Sequence, residues 1–299
     1  MLRYRRLCYV ALNVSDPARS RDFYARLQGL VEETSTRAPF AFRVGTDRTL
    51  LTLGKGTLPG IKAFGFEMES DAGLDALANA LGGAGVAWAR SESGIRMVDP
   101  HTAAAVEFHR RAPDSAAGEG RPGDAIAGFG HVVLATPAYR EAVDFWRETL
   151  GFRLSDEIAG RISLLRCFPN PTHHSLGIAR GPRRRFHHLN FRARDGVNLE
   201  AVARELAGHG VTIASGPGTH TPSGNQFLYF FDPDGLTLEI STVNERFEEG
   251  RERPARILPD RPESFATGKV ERHPGMGTVG EIEEAGVDPA SRLEAFVDC

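Results

Sequence analysis

Residues 131–151 read HVVLATPAYREAVDFWRETLG, and they repeat the pattern of residues 9–29, YVALNVSDPARSRDFYARLQG. Each stretch begins with a short apolar strand, passes through a polar turn that contains proline, and continues as an amphipathic helix that ends in glycine. The two stretches align without a gap, so that Tyr9 matches His131 and Gly29 matches Gly151. The repeat indicates that one strand–helix unit occurs at least twice in the chain.

A second pair of similar segments extends this repeat. Residues 61–109 and residues 186–241 each run from a strand through a helix to further strands. Their alignment matches Phe64 with His188 and Glu107 with Glu239. The sequence therefore predicts an α+β chain of four βαβββ units, paired into two similar domains and followed by a C-terminal tail.

Composition sets the predicted domain boundaries. We predict an N-terminal structural domain over residues 1–112, a linker over 113–127, a C-terminal catalytic domain over 128–243 and a tail over 244–299. The linker is rich in Pro, Gly, Ala and Ser, which is typical of an exposed connection. The tail is charged and proline-rich, so we expect it to have little core of its own and to wrap the second domain or be partly disordered.

Charge and cysteine content exclude several classes of protein. The net charge of -3 gives no basic field for nucleic acid or an anionic membrane surface. The three cysteines are far apart and form no CxxC pair, which argues against a disulfide framework or structural zinc and favours a cytoplasmic protein. The apolar run near the N-terminus is too short for a signal peptide, and no stretch reaches the ~20 apolar residues of a membrane span.

Two histidines and a glutamate form a candidate metal site in the second domain. His131 and His188 occupy equivalent positions in the unit-starting strands, and Glu239 lies in the closing strand, where a buried carboxylate needs a cation or strong donors. Two neutral imidazoles and one carboxylate suit non-haem Fe(II) with open positions. The first domain has Tyr9 and Phe64 in place of the histidines, so we interpret it as a structural copy.

The neighbouring histidines are interpreted as structural. Side chains alternate faces along a strand, so His187 and His188 are expected to point to opposite sides, and the repeat assigns the metal to His188. His173 is likewise interpreted as a structural neighbour of His174.

Four motifs resemble one known family: GFGHVVL (128–134), HHSLGIARGPRRRFHHLNF (173–191), GTHTPSGNQFLYFFDPDG (218–235) and TLEI (237–240). They resemble the two-domain extradiol, or meta-cleaving, catechol dioxygenases of the vicinal oxygen chelate superfamily, and the resemblance covers residues 1–243. It implies an enzyme that inserts O2 into a catechol-type diol next to the hydroxyls. It also implies one Fe(II), with Mn(II) as the alternative, held by His131, His188 and Glu239.

The same resemblance implies roles for three further residues. His174 lies fourteen residues before His188 and matches the family's acid/base histidine, with His173 as its competitor. His220 and Tyr229 lie nineteen and ten residues before Glu239 and match positions that bind the substrate. For Tyr229, ordinary core packing is the alternative. The resemblance further implies O2 and a small-molecule catechol as partners and a homo-oligomeric assembly.

Two other functions remain open on the same fold. One is a metal-dependent lyase or transferase of the glyoxalase or fosfomycin-resistance type, which would not need His174, His220 and Tyr229 together. The other is a metal-free binding protein like the bleomycin-resistance proteins, which would not be expected to keep two histidines and one glutamate. Iron content and O2 uptake with a catechol separate the three functions.

Overall fold

The computed structural model of the chain describes residues 1–27, 29–33, 40–45, 49–111, 124–242, 245–268 and 270–283. Residues 113–123 of the predicted linker and residues 284–299 of the tail therefore lie outside the described residues. No helix in the described ranges is long and apolar enough to cross a membrane.

The first half of the chain folds into two βαβββ units. The first unit contains β1 (Tyr4–Val14), α1 (Pro17–Tyr24), β2 (Leu30–Glu32), β3 (Phe40–Val44) and β4 (Thr49–Lys55). The second contains β5 (Gly60–Met68), α2 (Ala72–Gly83), β6 (Trp88–Arg90), β7 (Gly94–Val98) and β8 (Ala105–His109). Asp16 caps α1 by accepting hydrogen bonds from two backbone amides of the first turn, and Pro17 opens the helix.

The second half repeats this order. The third unit contains β9 (Ile126–Thr136), α3 (Tyr139–Asp144) with a π-helical turn after it (Phe145–Thr149), β10 (Arg153–Ile158), β11 (Ile162–Arg166) and β12 (Leu176–Arg180). The fourth contains β13 (Arg185–Ala193), α4 (Leu199–Gly208), β14 (Ile213–His220), β15 (Gln226–Phe231) and β16 (Thr237–Ser241). Strand β9 begins at Ile126, inside the segment predicted as linker, and the predicted domain boundaries stay predictions.

Each pair of units forms one mixed sheet with the same topology. The first sheet has the order β2-β3-β4-β1-β5-β8-β7-β6, and the core of the second has the order β10-β11-β12-β9-β13-β16-β15-β14. In both sheets the two unit-starting strands lie antiparallel, and each pairs in parallel with a later strand of its own unit. The predicted α+β fold of four βαβββ units in two similar domains is confirmed.

The two domains share one hydrophobic core. The π-helical turn after α3 places Trp146 against Phe64, with ring centroids 6.1 Å apart. The indole Nε1 of Trp146 donates to Asp99 of the first domain at 2.8 Å, and the hydroxyl of Tyr4 donates to the carbonyl of Leu150 at 2.7 Å. Aromatic side chains of each domain are therefore buried against the other domain, and their polar atoms form hydrogen bonds there.

The tail adds strands to both sheets. It contains β17 (Arg256–Leu258), a 3-10 turn (Pro262–Ser264), β18 (Ala266–Thr267) and β19 (Glu281–Ile282). Strands β17 and β18 extend the second sheet, whereas β19 pairs with β5 of the first. The prediction that the tail wraps the second domain was incomplete, because its last described strand binds the first domain.

Strand pairing corrects one alignment made from the sequence. In the second sheet Asn190 pairs with Glu239, and in the first sheet Gly65 pairs with Glu107. Counting back two residues on each strand places Ala63, not Phe64, at the position of His188. Phe64 faces the main core, whereas Ala63 lies with Tyr9 on the other face. The predicted match of Phe64 with His188 was therefore wrong by one residue, which inverts the side-chain face.

Candidate metal centre

Neighbouring strands of the second sheet each bring one candidate side chain to the same face. In sheet order the strands are β9, β13, β16, β15 and β14, and their side chains are His131, His188, Glu239, Tyr229 and His220. His174 lies just before β12, the neighbour of β9 on the other side. The twist of the sheet curls these strands around one cavity, so residues far apart in sequence become neighbours.

The three predicted metal ligands converge on one point. The Nε2 atoms of His131 and His188 are 3.1 Å apart, and they lie 3.1 and 3.2 Å from Oε2 of Glu239. Ligand atoms about 2.1 Å from a common ion and about 90° apart are separated by about 3.0 Å. The triangle thus has the size of one face of a metal coordination shell.

The burial of Glu239 tests whether a cation fits. Its side chain is fully buried, and neither of its oxygens receives a well-aligned hydrogen bond from the residues that the structure describes. A buried carboxylate without proton donors is strongly unfavourable unless a cation compensates it. The same cation would bind the Nε2 atoms of His131 and His188, which otherwise face each other with their lone pairs. The donor set therefore fits one divalent metal ion.

The protonation states suit metal binding. Burial lowers the pKa of His188 to about 4, although Glu239 opposes this effect. Burial alone would raise the pKa of Glu239, but the contacts with His131, His188 and His220 together hold it well below its usual range. Near neutral pH the site therefore offers a neutral imidazole at His188 and a carboxylate at Glu239, which are the forms that bind metal.

The interpretation of His187 as facing away from the site was wrong. A β-bulge interrupts the pairing of β13 with β9 between Phe186 and His188, which breaks the alternation of side chains. His187 and His188 both line the cavity, and their Nδ1 atoms are 2.7 Å apart. If Nε2 of His188 binds metal, its Nδ1 carries the proton and donates to Nδ1 of His187, the kind of outer contact that orients metal-bound histidines.

The two histidines at 173 and 174 occupy different environments. The ring of His174 lines the cavity and lies 4.1 Å, centroid to centroid, from the ring of His131. His173 has no exposed surface, and its Nε2 lies 2.9 Å from Oδ2 of Asp156. Burial and the neighbouring His131 lower the pKa of His174 well below its usual value, so its imidazole is neutral. This geometry favours His174 over His173 for the acid/base role.

His220 and Tyr229 form a hydrogen-bonded pair beside the triad. The carbonyl of Phe265 accepts a hydrogen bond from Nδ1 of His220 at 2.9 Å, which leaves Nε2 as the acceptor in the neutral ring. The hydroxyl of Tyr229 lies 3.1 Å from this Nε2 and donates to it. Burial and the charge of Glu239 raise the pKa of Tyr229 well above its usual value, so the hydroxyl keeps its proton.

A cavity of about 240 Å³ opens above these residues. Its floor carries the histidines and Tyr229, and Val133, Ile162 and Leu164 form an apolar part of its wall. Phe265 and Arg272 of the tail also line it, and so does Arg185 at the start of β13. The sequence did not identify Phe265 and Arg272 as lining residues, because only the folded tail brings them to the site.

The first domain has kept the carboxylate but not the histidines. Glu107 is buried, with its Oε2 3.3 Å from Nε2 of His109 and its Oε1 3.8 Å from Nη1 of Arg96. Among the described residues, groups of three potential metal ligands occur in two places, and both are in the second half of the chain. One is the triad, and the other is Asp156 with His173 and Glu245.

A mixed-sheet fold of paired βαβββ units with a buried two-histidine, one-carboxylate site defines the class of protein. Residues 128–240 match the family described as the Glyoxalase/Bleomycin resistance protein/Dioxygenase superfamily. The second domain of this chain is therefore a domain of that superfamily.

Relatives and a solved structure agree with this assignment. Biphenyl-2,3-diol 1,2-dioxygenase from Paraburkholderia xenovorans is 28% identical over 263 residues, which cover 79% of this chain and 86% of that protein. Metapyrocatechase 2 from Cupriavidus necator is 33% identical over 125 residues, which cover 42% of this chain and only 39% of that protein. The Mn(II)-bound glyoxalase from Novosphingobium aromaticivorans shares the fold with a TM-score of 0.81 at 24% identity, over 92% of this chain and 94% of that one.

Proposed function

We propose that the protein is an extradiol ring-cleaving dioxygenase that acts on a catechol-type diol with one mononuclear non-haem iron(II). The observation that carries this proposal is the convergence of His131, His188 and Glu239 beneath a cavity that His174, His220 and Tyr229 also line. In this reaction the ring bond next to a hydroxyl-bearing carbon breaks and both atoms of O2 enter the product. No external reductant is therefore needed.

The metal would be held by His131, His188 and Glu239, whose atoms form one face of a coordination shell. When bound, it supplies an electron-donating centre with open positions for both catechol oxygens and for O2. The ligand set fits iron(II) and manganese(II) alike, and we propose iron(II) with manganese(II) as the alternative.

The residues around the triad bind the substrate and move its protons. We assign His174 as the base that takes a proton from a catechol hydroxyl, because its neutral imidazole faces the cavity. The hydroxyl of Tyr229, which burial keeps protonated, is assigned to turn from Nε2 of His220 and donate to a substrate oxygen. His220, held by the carbonyl of Phe265, is assigned to orient the same oxygen. Apolar wall residues exclude water from the ring.

A glyoxalase-type lyase is the main rival, since one solved structure with this fold is that of a Mn(II)-bound glyoxalase. That likeness concerns the fold. The relatives named as dioxygenases include one that matches 79% of this chain. A lyase also gives no reason for His174, His220 and Tyr229 to surround the triad. A metal-free binding protein is disfavoured because it would leave Glu239 buried without a cation.

We further propose a cytoplasmic, homo-oligomeric enzyme. The three cysteines are far apart in the sequence and form no CxxC pair, which supports a reducing compartment. The assembly stays a prediction, which sedimentation velocity of the purified protein tests.

The proposed reaction is tested by anaerobic purification, a metal assay and O2 uptake with a panel of catechols. We expect one iron per chain and a yellow ring-fission product. Stoichiometric iron without O2 uptake on any catechol would contradict the proposal.

The role of His174 has its own test. We expect His174→Phe to keep the iron and to lose at least about 100-fold in kcat, the lower range for removing a general base. His209→Gln, an exposed change after α4, is the control and should keep full activity. Loss of iron from His174→Phe would show that the division between ligand and base is wrong.

A further inference from the structure

Two pairs of adjacent histidines have the same internal geometry. In the pairs His173–His174 and His187–His188, the two Nδ1 atoms face each other at 3.0 Å and 2.7 Å. Two neutral imidazole nitrogens attract at this distance only when one carries a proton and the other does not. Within each pair, the protonation of one Nδ1 therefore fixes the protonation of the other.

For the first pair, Asp156 settles the direction. Asp156 is fully buried, and its two oxygens accept hydrogen bonds from Arg253 at 3.0 and 3.1 Å and from Arg256 at 2.9 and 2.6 Å. Burial would raise the pKa of this carboxyl, but Arg256, His173 and Arg253 together hold it below its usual range. Asp156 is therefore a carboxylate that only accepts, so Nε2 of His173 at 2.9 Å carries a proton.

The same cluster does not fit a second metal ion. Asp156, His173 and Glu245 lie close enough together to bind one. However, the guanidinium of Arg253 bonds to both oxygens of Asp156 and to both oxygens of Glu245, at 2.7 and 2.5 Å. Arginine thus supplies the positive charge that a metal would bring.

We propose that His173, anchored by Asp156, is a positioning residue that holds His174 in the tautomer with its proton on Nδ1 and a bare Nε2. With its proton on Nε2, the neutral ring of His173 presents a bare Nδ1. This Nδ1 accepts from Nδ1 of His174, and Nε2 is then the only basic atom of His174. The catalytic consequence rests on the proposed function, because a bare Nε2 is what a base for a catechol hydroxyl needs. The tautomer itself does not depend on it.

The tautomer is measured directly from the ring nitrogen resonances of ¹⁵N-histidine-labelled protein loaded with diamagnetic Zn(II). We expect His174 to show a protonated Nδ1 and an unprotonated Nε2, with the assignment made by loss of the signal in His174→Phe. A protonated Nε2 on His174 in the wild-type protein overturns the proposal, whatever the activity of the enzyme.

Variants separate positioning from a merely structural role. We expect His173→Phe to populate the other tautomer of His174, to keep its metal and to lower kcat at least about tenfold with little change in KM. His187→Phe is the matched control. It removes the equivalent partner of a proposed ligand, so we expect metal affinity to fall about 10- to 100-fold while the tautomer of His174 stays the same. An unchanged tautomer in a folded His173→Phe protein contradicts the proposal.

A second inference rests on the charges around the cavity. Four arginines line it, namely Arg161, Arg180, Arg185 and Arg272, and no aspartate or glutamate does so among the described residues. Arginines of the described chain commonly pair with carboxylates, as Arg5 does with Glu67 at 2.7 Å and Arg161 of the cavity does with Asp260 at 3.6 Å. Arg185 instead has a buried Nε without a hydrogen-bond partner in the described structure, and its Nη1 reaches only the carbonyl of Thr278 at 3.4 Å.

We infer that the diol substrate carries a carboxylate on a side arm and that Arg185 binds it. This inference deepens the proposed function and rests on it. A carboxylate would accept from the guanidinium of Arg185, whose bond to the carbonyl of Thr278 is long, while the apolar side chains contact the ring. Arg185 also lies three residues before His188 on β13, so it is fixed to the same strand as the proposed metal ligand.

Anaerobic binding to the iron-loaded protein tests this inference without turnover. The two probes are a catechol with a carboxylate on a short side arm and its methyl ester. We expect the acid to bind more tightly, and we expect Arg185→Gln to weaken the acid at least about tenfold and the ester less than about twofold. Arg184→Gln is the control, because the Nε of Arg184 donates to the carbonyl of His101 at 3.2 Å.

Two outcomes overturn the inference that Arg185 binds a carboxylate. One is equal affinity of the wild type for acid and ester, and the other is an equal loss of affinity for both in Arg185→Gln. Selective binding without O2 uptake would instead refute the dioxygenase reaction.

Discussion

At the scale of single residues, Glu239 and Glu107 occupy equivalent positions with different surroundings. Both are buried, Glu107 on β8 and Glu239 on β16, the last strands of the second and fourth units. Glu239 faces three histidine Nε2 atoms at 3.1 to 3.4 Å, whereas Glu107 has Arg96 at 3.8 Å as its nearest arginine. Arg96 thus places a fixed positive charge near Glu107, whereas histidine side chains face Glu239.

This contrast predicts opposite behaviour of two matched variants. We expect Glu239→Gln to lower metal affinity by more than about 100-fold, since even the outer partners of ligands contribute about 10- to 100-fold. Metal titration of the metal-free protein measures this effect.

Glu107→Gln provides the control for this pair. It should leave the metal affinity unchanged, because Glu107 lies in the other domain. Loss of metal from Glu107→Gln, or tight metal binding by Glu239→Gln, would show that the triad is wrongly identified.

At the scale of elements, the turn between β15 and β16 connects the two domains. Asp232 accepts from the backbone amides of Asp234 and Leu236, which closes the turn, and its other oxygen accepts from the hydroxyl of Tyr24 at 3.1 Å. Asp234 accepts from the amide of Ser15 at 2.8 Å. The sequence DPDG predicts only a turn, whereas the folded turn holds α1 of the first domain against β15.

Asp232 predicts a defined pH dependence of stability. Burial is the main cause that raises the pKa of Asp232 from 3.8 to about 7. Between these values the folded protein holds a proton that the unfolded chain has released, so stability falls as pH rises and the loss is complete above about 7. The loss amounts to at most about 4 kcal/mol.

Asp232→Asn should remove this contribution. Its unfolding free energy, measured by urea at fixed metal loading, should increase relative to that of the wild type as pH rises from about 4 to about 7. Asp22→Asn, whose carboxylate is 65% exposed, serves as the control and should track the wild type. Parallel curves for Asp232→Asn and the wild type would refute a raised pKa.

At the scale of the whole molecule, the tail completes the cavity and binds both sheets. It supplies Phe265, whose carbonyl holds His220, and Gly277, whose amide donates to the hydroxyl of Thr237 at 2.9 Å. Gly277 has a φ of +68°, and a Cβ there would overlap the ring of His187. The close approach of tail and ring therefore requires glycine.

Gly277→Ala tests this contact. We expect it to lower stability by more than about 2 kcal/mol, because a steric clash adds to the roughly 1 kcal/mol of a left-handed alanine. We also expect weaker metal binding, because displacement of His187 disturbs His188. Thermal unfolding and metal titration measure both effects.

Gly268→Ala isolates the backbone cost. Gly268 has a φ of +76° in the same tail, but a Cβ there meets no atom of the described residues within 4 Å. Equal losses in the two variants would mean that the contact with His187 contributes nothing.

Most of the fold and the positions of the three candidate ligands were predictable because the chain repeats. Apolar periodicity identified the units, and the alignment of units placed His131, His188 and Glu239 at strand positions that pairing later brought together. The prediction for His187 was wrong because a bulge is a feature of pairing, which alternation along one strand does not reveal. Phe64 was matched to His188 for a similar reason. The correct match follows only from the pairing of β5 with β8 and of β13 with β16, which the sequence does not show.

The sequence by itself determined the four units, the two similar halves and the half that carries the metal-binding residues, because these follow from local periodicity and internal repetition. Only the tertiary structure decided that the Nδ1 atoms of the adjacent histidines face one another, in His173–His174 and in His187–His188. It also decided that Asp156 anchors His173 and that the tail closes the cavity. These contacts join residues such as His187 and Gly277, which lie on different strands and segments. Their approach depends on sheet curvature, bulges and register, which no single segment of the chain encodes.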